Sequence, residues 1–309
     1  MSEREIVCED LSLAIDDLKG RGFRLDLIYP ADDPQSAILS HAGETVRVST
    51  PGASPLPDGL AAFRPEFVLT RTGAEAGQGR AGMLYRDLIP SRLGGRYIVS
   101  HITIPEGGPV ADWVHYHRIA LQIIYVRRGC VRVVYEGEGE PFVMHAGDMV
   151  LQPPEIRHRV LESSDSLEVV EITAPALHAT FADHELTLPG AAGGNRPRQG
   201  QRFLRHVAAK TPWTPFGEIE AQDTGLGAAT GGLGEARTLR PLAFATEFAP
   251  HEGELVFGFV LDGSAALERE GTFQLGPADS FVIPPGEAWR LSRMSGDFQL
   301  LHVTTSRLG

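Results

Sequence analysis

Two stretches decide the fold: Leu121-Gln-Ile-Ile-Tyr-Val-Arg-Arg-Gly-Cys-Val-Arg-Val-Val-Tyr-Glu-Gly137 and Leu255-Val-Phe-Gly-Phe-Val-Leu-Asp-Gly-Ser-Ala-Ala-Leu-Glu268. Each reads as a β-rich run broken by one glycine, Gly129 or Gly263, into two short strands. The same neighbours recur around both. Arg96-Tyr-Ile-Val-Ser-His-Ile-Thr-Ile-Pro precedes the first and Leu242-Ala-Phe-Ala-Thr-Glu-Phe-Ala-Pro the second. Asp148-Met-Val-Leu-Gln-Pro-Pro follows the first and Asp279-Ser-Phe-Val-Ile-Pro-Pro the second. Leu167-Glu-Val-Val-Glu-Ile and Phe298-Gln-Leu-Leu-His-Val-Thr close the two copies. A repeat this long is a duplicated domain rather than a solenoid, and short strands split by Gly and Pro predict a small barrel or sandwich in each copy.

The chain has 309 residues, enough at roughly 100–200 residues per domain for two domains and a small module. Residues 1–50 alternate strand and helix signals. Asp10 is placed to N-cap a helix with apolar positions Leu11, Ala14, Ile15 and Leu18, which Gly20 and Gly22 would end. Phe23-Arg-Leu-Asp-Leu-Ile-Tyr, Ser36-Ala-Ile-Leu-Ser and Thr45-Val-Arg-Val-Ser follow as strands, giving a βαβββ order. Residues 51–80, opened by Pro51-Gly-Ala-Ser-Pro-Leu-Pro-Asp-Gly, read as a connector. The first barrel is expected over 81–189, a Gly-rich linker over 190–201 and the second barrel over 202–309.

Composition excludes several classes. Lys and Arg number 28 against 40 Asp and Glu, so the net charge is 28 − 40 = −12. That charge repels nucleic acid and anionic membrane surfaces, and no basic stripe offsets it. No apolar run approaches the ~20 residues of a membrane span. The acidic start, without an apolar leader, predicts a cytoplasmic protein. Cys8 and Cys130 lie far apart, which offers neither a metal-binding pair nor a disulfide framework. There is no Gly-x-Ser-x-Gly, His-Glu-x-x-His or phosphate-cradling loop.

The chemistry concentrates in the first copy. His115 and His117 stand two apart in an extended segment, so their imidazoles share a face. Gln122, at odd spacing, rejoins them only if the chain bends over Arg118 to Leu121 and Gln122 occupies a neighbouring strand. His158 shares strand parity with Val160. One histidine in a strand is ordinarily a packed or exposed side chain; three at these spacings, each beside a turn, point to a metal site with open positions.

His115-x-His117, four residues, Gln122, six residues and Gly129 resemble the first motif of the cupin superfamily; Gly147, five residues, Pro153 and then His158 resemble the second. The resemblance implies a mainly β fold of two cupin barrels, with one divalent metal held by His115, His117, His158 and Gln122. Two positions depart from the family pattern. Gln122 replaces the usual Glu, either as a ligand or as a hydrogen-bonding group beside a three-histidine site. Pro153-Pro154-Glu155 lacks the usual turn glycine. In the second copy the ligand positions read Ala249, His251, Val256 and Trp289, so no metal is expected there. The first fifty residues resemble one module of the glyoxalase-like (vicinal oxygen chelate) fold, expected to be a structural or assembly module and not a second active site.

Two function classes stay open. In the first, the three histidines hold iron(II), as in cupin dioxygenases that cleave phenols, diketones or flavonol-like compounds; zinc, nickel or manganese on the same ligands would suit an isomerase or hydrolase. In the second, the chain binds or senses a small ligand without catalysis. Ile124, Val126, Met149 and Leu151 are candidates for an apolar pocket. Tyr125 and Arg127 point the other way by parity, to the barrel exterior or an interface. His101 is expected to pack or to hydrogen-bond, Trp113 to wall the pocket mouth or pack, and His178 and His184 to belong to a lid or interface. His251 and Glu254 are expected at the surface. Unpaired sheet edges make a homodimer the expected assembly.

Overall fold

The computed structural model describes residues 2–56, 59–78, 83–190 and 196–308. Parts of the expected connector (57–58 and 79–80) and most of the expected linker (191–195) lie outside the described residues. The chain is mainly β, with the cupin arrangement of facing sheets occurring twice. Among the described residues the strands form four sheets, two per half, and they do not close into hydrogen-bonded rings. Each half is therefore an open jelly roll, the sandwich form of the barrel-or-sandwich expected in each copy.

The N-terminal segment has the βαβββ order. Asp10 caps the helix Leu11–Gly20 by accepting from the Leu13 N–H at 3.0 Å. The helix buries Leu11 and Leu18 against Phe23, Leu25, Leu39 and Val46 of its own strands. This small sheet continues directly into the first half. Arg24–Tyr29 pairs with Thr180–Ala182, and that strand pairs with His115–His117.

Alternation along Leu121–Arg128 separates two environments. Ile123 and Tyr125 join Met149, Leu151 and Ile172 in an apolar core shared with Leu255, Phe257, Phe259 and Leu301 of the second half. Met149 and Leu151 thus face the second half, not a pocket, because the sheet has a buried face on each side. Tyr125 meets Thr238 Oγ1 through its hydroxyl at 3.2 Å, and Arg127 donates to the Leu261 carbonyl at 3.2 Å, so both serve the junction between halves. Glu254 is buried there too, against expectation. Its carboxylate takes a two-pronged bond from Arg96, Nε to Oε2 at 2.8 Å and Nη2 to Oε1 at 2.7 Å. A buried pair of this kind is strongly destabilising to break, by roughly 3–5 kcal/mol, because the remaining charge is stranded.

The halves also exchange edge strands. Val68–Thr70, within the segment read as connector, pairs with Ser280–Val282 of the second half. Leu204–His206, which opens the second half, pairs with Met149–Leu151 of the first. Two equivalent aspartates pin these short straps. Asp148 accepts from the N–H groups of His145 and Ala208 at 3.0 and 2.9 Å; Asp279 accepts from those of Gly276 and Thr72 at 3.0 and 2.9 Å. Among the described residues, no helix is long and apolar enough to cross a membrane.

The interior of the second half is filled by aromatic rings. Trp289 stacks on Phe248 with centroids 3.9 Å apart and meets Phe281 edge-on at 5.4 Å. Phe281 in turn lies over Gly258, where a Cβ would come 2.3 Å from the ring. Gly258→Ala should therefore destabilise the protein by about 1–3 kcal/mol, the usual range for overpacking a filled core, measured by chemical denaturation. His302 is buried beside this cluster, and its Nε2 has no hydrogen-bond partner among the described residues. Burial, then the charges of Arg237 and His251, push its pKa down to about 4. Between about 6.5 and 4 the unfolded chain takes up a proton here that the folded chain refuses, so stability falls as pH drops through that window. The loss should reach about 3 kcal/mol below pH 4 and shrink in His302→Leu, as read from denaturation midpoints at a series of pH values.

Candidate metal centre

His115 and His158 are paired across adjacent strands, His115–His117 and His158–Ser163, and His117 lies two residues on along the same face. All three side chains are buried. One nitrogen from each comes within 4.8 Å of the others, and among the described residues this is the one such histidine, cysteine and carboxylate group with metal-binding spacing. The strand backbone sets their chemistry. His115 Nδ1 meets the Trp113 carbonyl at 2.8 Å, His117 Nδ1 the Ala179 carbonyl at 3.2 Å, and His158 Nδ1 the Ile156 carbonyl at 3.0 Å. A carbonyl only accepts, so each Nδ1 carries a proton, and the nitrogen left to a metal is Nε2. Imidazoles oriented by backbone carbonyls at Nδ1 are the arrangement in which Nε2 serves a transition metal. Asp112 Oδ1, 3.5 Å from His115 Nδ1, adds a carboxylate behind the first ring. The donor set fits a divalent transition metal.

Gln122 lines the same cavity from the facing sheet, not from the neighbouring strand expected. The chain turns between His117 and Leu121, and Gln122 stands on the opposing sheet, on the face it shares with Ile124. Its side chain is buried, and its Nε2 donates to Glu171 Oε1 at 2.8 Å. The same Glu171 oxygen accepts from Thr173 Oγ1 at 3.1 Å. Glu171 was missed in the sequence. Strand parity with Val169 in Leu167–Ala174 was the available signal, since Val169 and Glu171 both line the cavity.

The missing turn glycine has a structural answer. Glu155 adopts φ +60°, the left-handed conformation that Gly286 adopts at φ +83° in the second copy. Both N–H groups make the same bond, Glu155 to the His117 carbonyl and Gly286 to the His251 carbonyl, each at 2.9 Å. The turn is kept, and it ties the two metal motifs together through backbone. The second copy differs at the rings. His251 Nε2 donates to the Ile283 carbonyl at 3.0 Å, so its proton sits on the opposite nitrogen from those of the three clustered histidines. Ala249, Val256 and Trp289 offer no ligand atom, and Val256 and Trp289 belong to the apolar interior.

The histidines open onto a cavity of about 140 Å³. Its walls are mostly aliphatic, including Ile102, Ile124, Val133, Met144 and Val169. Tyr135 stacks near His158, 5.6 Å between centroids, and its hydroxyl accepts from Gln152 Nε2 at 3.1 Å. Burial pushes the Tyr135 phenol well above its ordinary pKa, so it stays protonated. His178 lines the cavity, its ring 5.3 Å from that of His117. Burial lowers its pKa against the pull of Glu171, which keeps the ring neutral. His184 lies elsewhere, its Nε2 on the Leu25 carbonyl at 2.8 Å, and Trp113 packs against the N-terminal sheet. His101 hydrogen-bonds Glu168 and Arg86, at 2.8 and 3.1 Å. Ala31 and Asp32, from the N-terminal segment, also line the cavity; no local pattern could have placed them there.

Residues 100–173 match the family model described as a cupin domain. Among solved structures, the chain is similar to a deletion mutant of Bacillus subtilis oxalate decarboxylase OxdC, with a TM-score of 0.57 at 12% identity, covering 81% of this chain and 80% of that one. It is also similar to the Lactobacillus farciminis oxalate decarboxylase formate complex, with a TM-score of 0.54 at 14% identity, covering 77% of this chain and 86% of that one. At these identities the likeness establishes the fold, with both halves included. No curated protein matches the chain by sequence. If the three histidines hold one metal per chain, replacing both His115 and His117 with Ala should reduce metal content from one equivalent to none. Elemental analysis after dialysis against iron(II) or zinc(II) reads this directly, and retained stoichiometry would refute the assignment.

Proposed function

We propose that this chain, whose residues 100–173 match a cupin domain and whose fold is that of a two-cupin protein, is a metal-dependent enzyme: a mononuclear non-haem iron(II) dioxygenase for a small phenolic, enolic or diketone-like substrate. The carrying observation is the set of three buried imidazoles, each with Nδ1 on a backbone carbonyl and with ligand nitrogens within 4.8 Å of one another, opening onto a cavity with aliphatic walls. Iron(II) held there would supply Lewis acidity toward an enol or phenol oxygen and the electrons for reaction with dioxygen. His115, His117 and His158 would hold it, and Gln122 stands beside them. Neutral ligands leave the ion's charge to be balanced by the substrate, which favours an anionic oxygen.

The remaining residues do the binding. Ile124, Val133 and Met144 exclude water and contact a flat apolar body. A cavity of about 140 Å³ compares with the ~150 Å³ engineered cavity that takes benzene, so one ring or a short diketone fits and a flavonol-like compound does not. Oxalate, named for the structural relatives, would bring two carboxylates in beside Asp32 and Glu171, an arrangement that like-charge repulsion disfavours. We propose a homodimer from open edges such as Thr214–Phe216, and no nucleic acid or membrane partner given the net charge of −12.

Iron(II)-loaded protein should consume oxygen with at least one member of a panel of monocyclic phenols and β-diketones. His158→Ala should lower that rate by at least about 100-fold, the order expected when a ligand to the reacting centre is lost. Protein of verified iron content that consumes no oxygen with any member would move the chain to the non-catalytic binding class.

A further inference from the structure

Between the two halves the chain makes a tight turn whose side chains reach back to the first. Arg198 and Gln201 bond to each other twice through backbone, the Arg198 N–H to the Gln201 carbonyl at 2.7 Å and the Gln201 N–H to the Arg198 carbonyl at 3.0 Å. Gln199 and Gly200 between them both have positive φ, +50° and +82°. The residues flanking a two-residue turn of this kind share a face. Gln201 Nε2 donates to the Ala120 carbonyl at 2.5 Å, in the bend that separates His117 from Gln122. Arg198 reaches the turn that precedes His158. Its Nη1 donates to the Glu155 carbonyl at 3.3 Å, and its Nη2 meets Glu136 Oε2 at 2.7 Å. Both charged side chains of that pair are largely buried, at 11% and 10% exposure. Glu136 passes the hold on. Its Oε2 accepts from the Arg157 N–H at 3.3 Å, and its own N–H donates to the Arg157 carbonyl at 2.8 Å. One guanidinium thus fixes residues 155 and 157, which lead directly into His158.

That turn needs holding. Glu155 is left-handed at φ +60°, where the second half has Gly286. A Cβ makes this conformation unfavourable, so the turn relaxes unless its surroundings fix it. Relaxation would break the bond from the Glu155 N–H to the His117 carbonyl, a tie between the two metal motifs. Other partners do not anchor the turn from outside. Arg157 Nη1 also donates to the Glu155 carbonyl, at 2.9 Å, but Arg157 belongs to the same turn and moves with it. Arg118 meets only the Glu155 side chain, at 3.1 Å, in a half-exposed pair. Arg198 comes from a segment 43 residues on.

We propose that Arg198 is a positioning residue of the metal centre: it holds the left-handed turn at Glu155 and so keeps His117 and His158 in place for one metal ion. The clamp does here what the absence of a side chain does at Gly286 in the second half. The last residues of the segment between the halves are therefore part of the site's support. The proposal rests on the three-histidine metal reading and is independent of the dioxygenase reading.

The test titrates the full-length protein with cobalt(II), whose visible absorption reports both affinity and ligand geometry. Arg198→Ala should weaken cobalt binding by roughly 10-fold, the lower end of the range for groups that support metal ligands. Arg198→Lys keeps a cation beside Glu136 but lacks the second arm, so it should weaken binding too, and it serves if the alanine variant does not fold. Glu155→Gly alone should leave affinity unchanged. Added to either Arg198 variant, Glu155→Gly should restore the affinity and the wild-type cobalt spectrum, because a glycine turn needs no clamp. A general loss of stability would not produce this rescue. The proposal is overturned if the folded Arg198 variants bind cobalt as the wild type does. It is overturned equally if Glu155→Gly changes affinity by the same factor with and without Arg198, since the two positions then act independently. Wild-type protein that takes up no cobalt refutes the metal reading and removes the proposal with it. Rescue as expected, with no oxygen uptake by the iron(II) form, refutes the dioxygenase alone.

Discussion

The alternation along Leu121–Arg128 is the constraint on which both halves depend. One face of the strand, through Gln122 and Ile124, walls the cavity; the other, through Ile123 and Tyr125, lies in the core shared with the second half. A shift of one residue in register would exchange these sets, placing aliphatic side chains at the histidines and an amide in the apolar junction. The register is held by neighbours on both sides, Met149–Leu151 and Leu167–Ala174, and by the strap Leu204–His206 beyond the first of them. The second half thus acts on the site without contributing a residue to it, by covering the back of the sheet that carries Gln122 and Glu171.

The two halves keep the same turns and differ inside. Gly129 and Gly263 both adopt positive φ where a Cβ would lie 2.5 Å from a serine hydroxyl, Ser164 or Ser295. Those hydroxyls take equivalent bonds from the Cys130 and Ser264 N–H groups, at 2.9 and 2.8 Å. Glu155 and Gly286 share the left-handed turn as well. For a residue with a side chain that conformation costs roughly 1–2 kcal/mol, so its retention at Glu155 shows how strongly the bond to His117 holds the turn. Against this fixed frame the interiors part company. Where the first half has Gln122, Ile124 and His158, the second has Val256, Gly258 and Trp289, and Phe281 occupies the space above Gly258. The frame is independent of the contents, and so one half can hold a polar cluster while the other is packed solid.

Much of this was legible because it is local. Spacing pointed to His115, His117 and His158 as one group, and the odd interval to Gln122 called for a bend; Gln122, expected on a neighbouring strand, stands on the facing sheet instead. Parity put Tyr125 and Arg127 at a junction. What escaped were features made by pairing across long separations. Val68–Thr70 carries no mark that it pairs with residues two hundred positions on, and Glu254, beside Gly253 in an apparent loop, reads as exposed until Arg96 is seen to meet it. Met149 and Leu151 were assigned to the pocket since a sheet covered on both faces shows no polar alternation. Asp32 lies more than eighty residues before His115, in a segment with a separate core, and only the strand pairing at Thr180–Ala182 carries it to the cavity.

Gln122 and Glu171 are best understood as one unit. A carboxylate at 122 would stand at hydrogen-bond distance from the Glu171 carboxylate, and two such groups do not both stay ionised; they share a proton, and one pKa rises sharply. An amide at 122 removes that conflict. It donates to Glu171 through Nε2 and presents a neutral group on the side of the histidines. The negative charge that a glutamate at 122 would bring to the cluster is displaced by one hydrogen bond, onto a strand of the same sheet. The departure of Gln122 from the family pattern and the presence of Glu171 are thus linked by electrostatics.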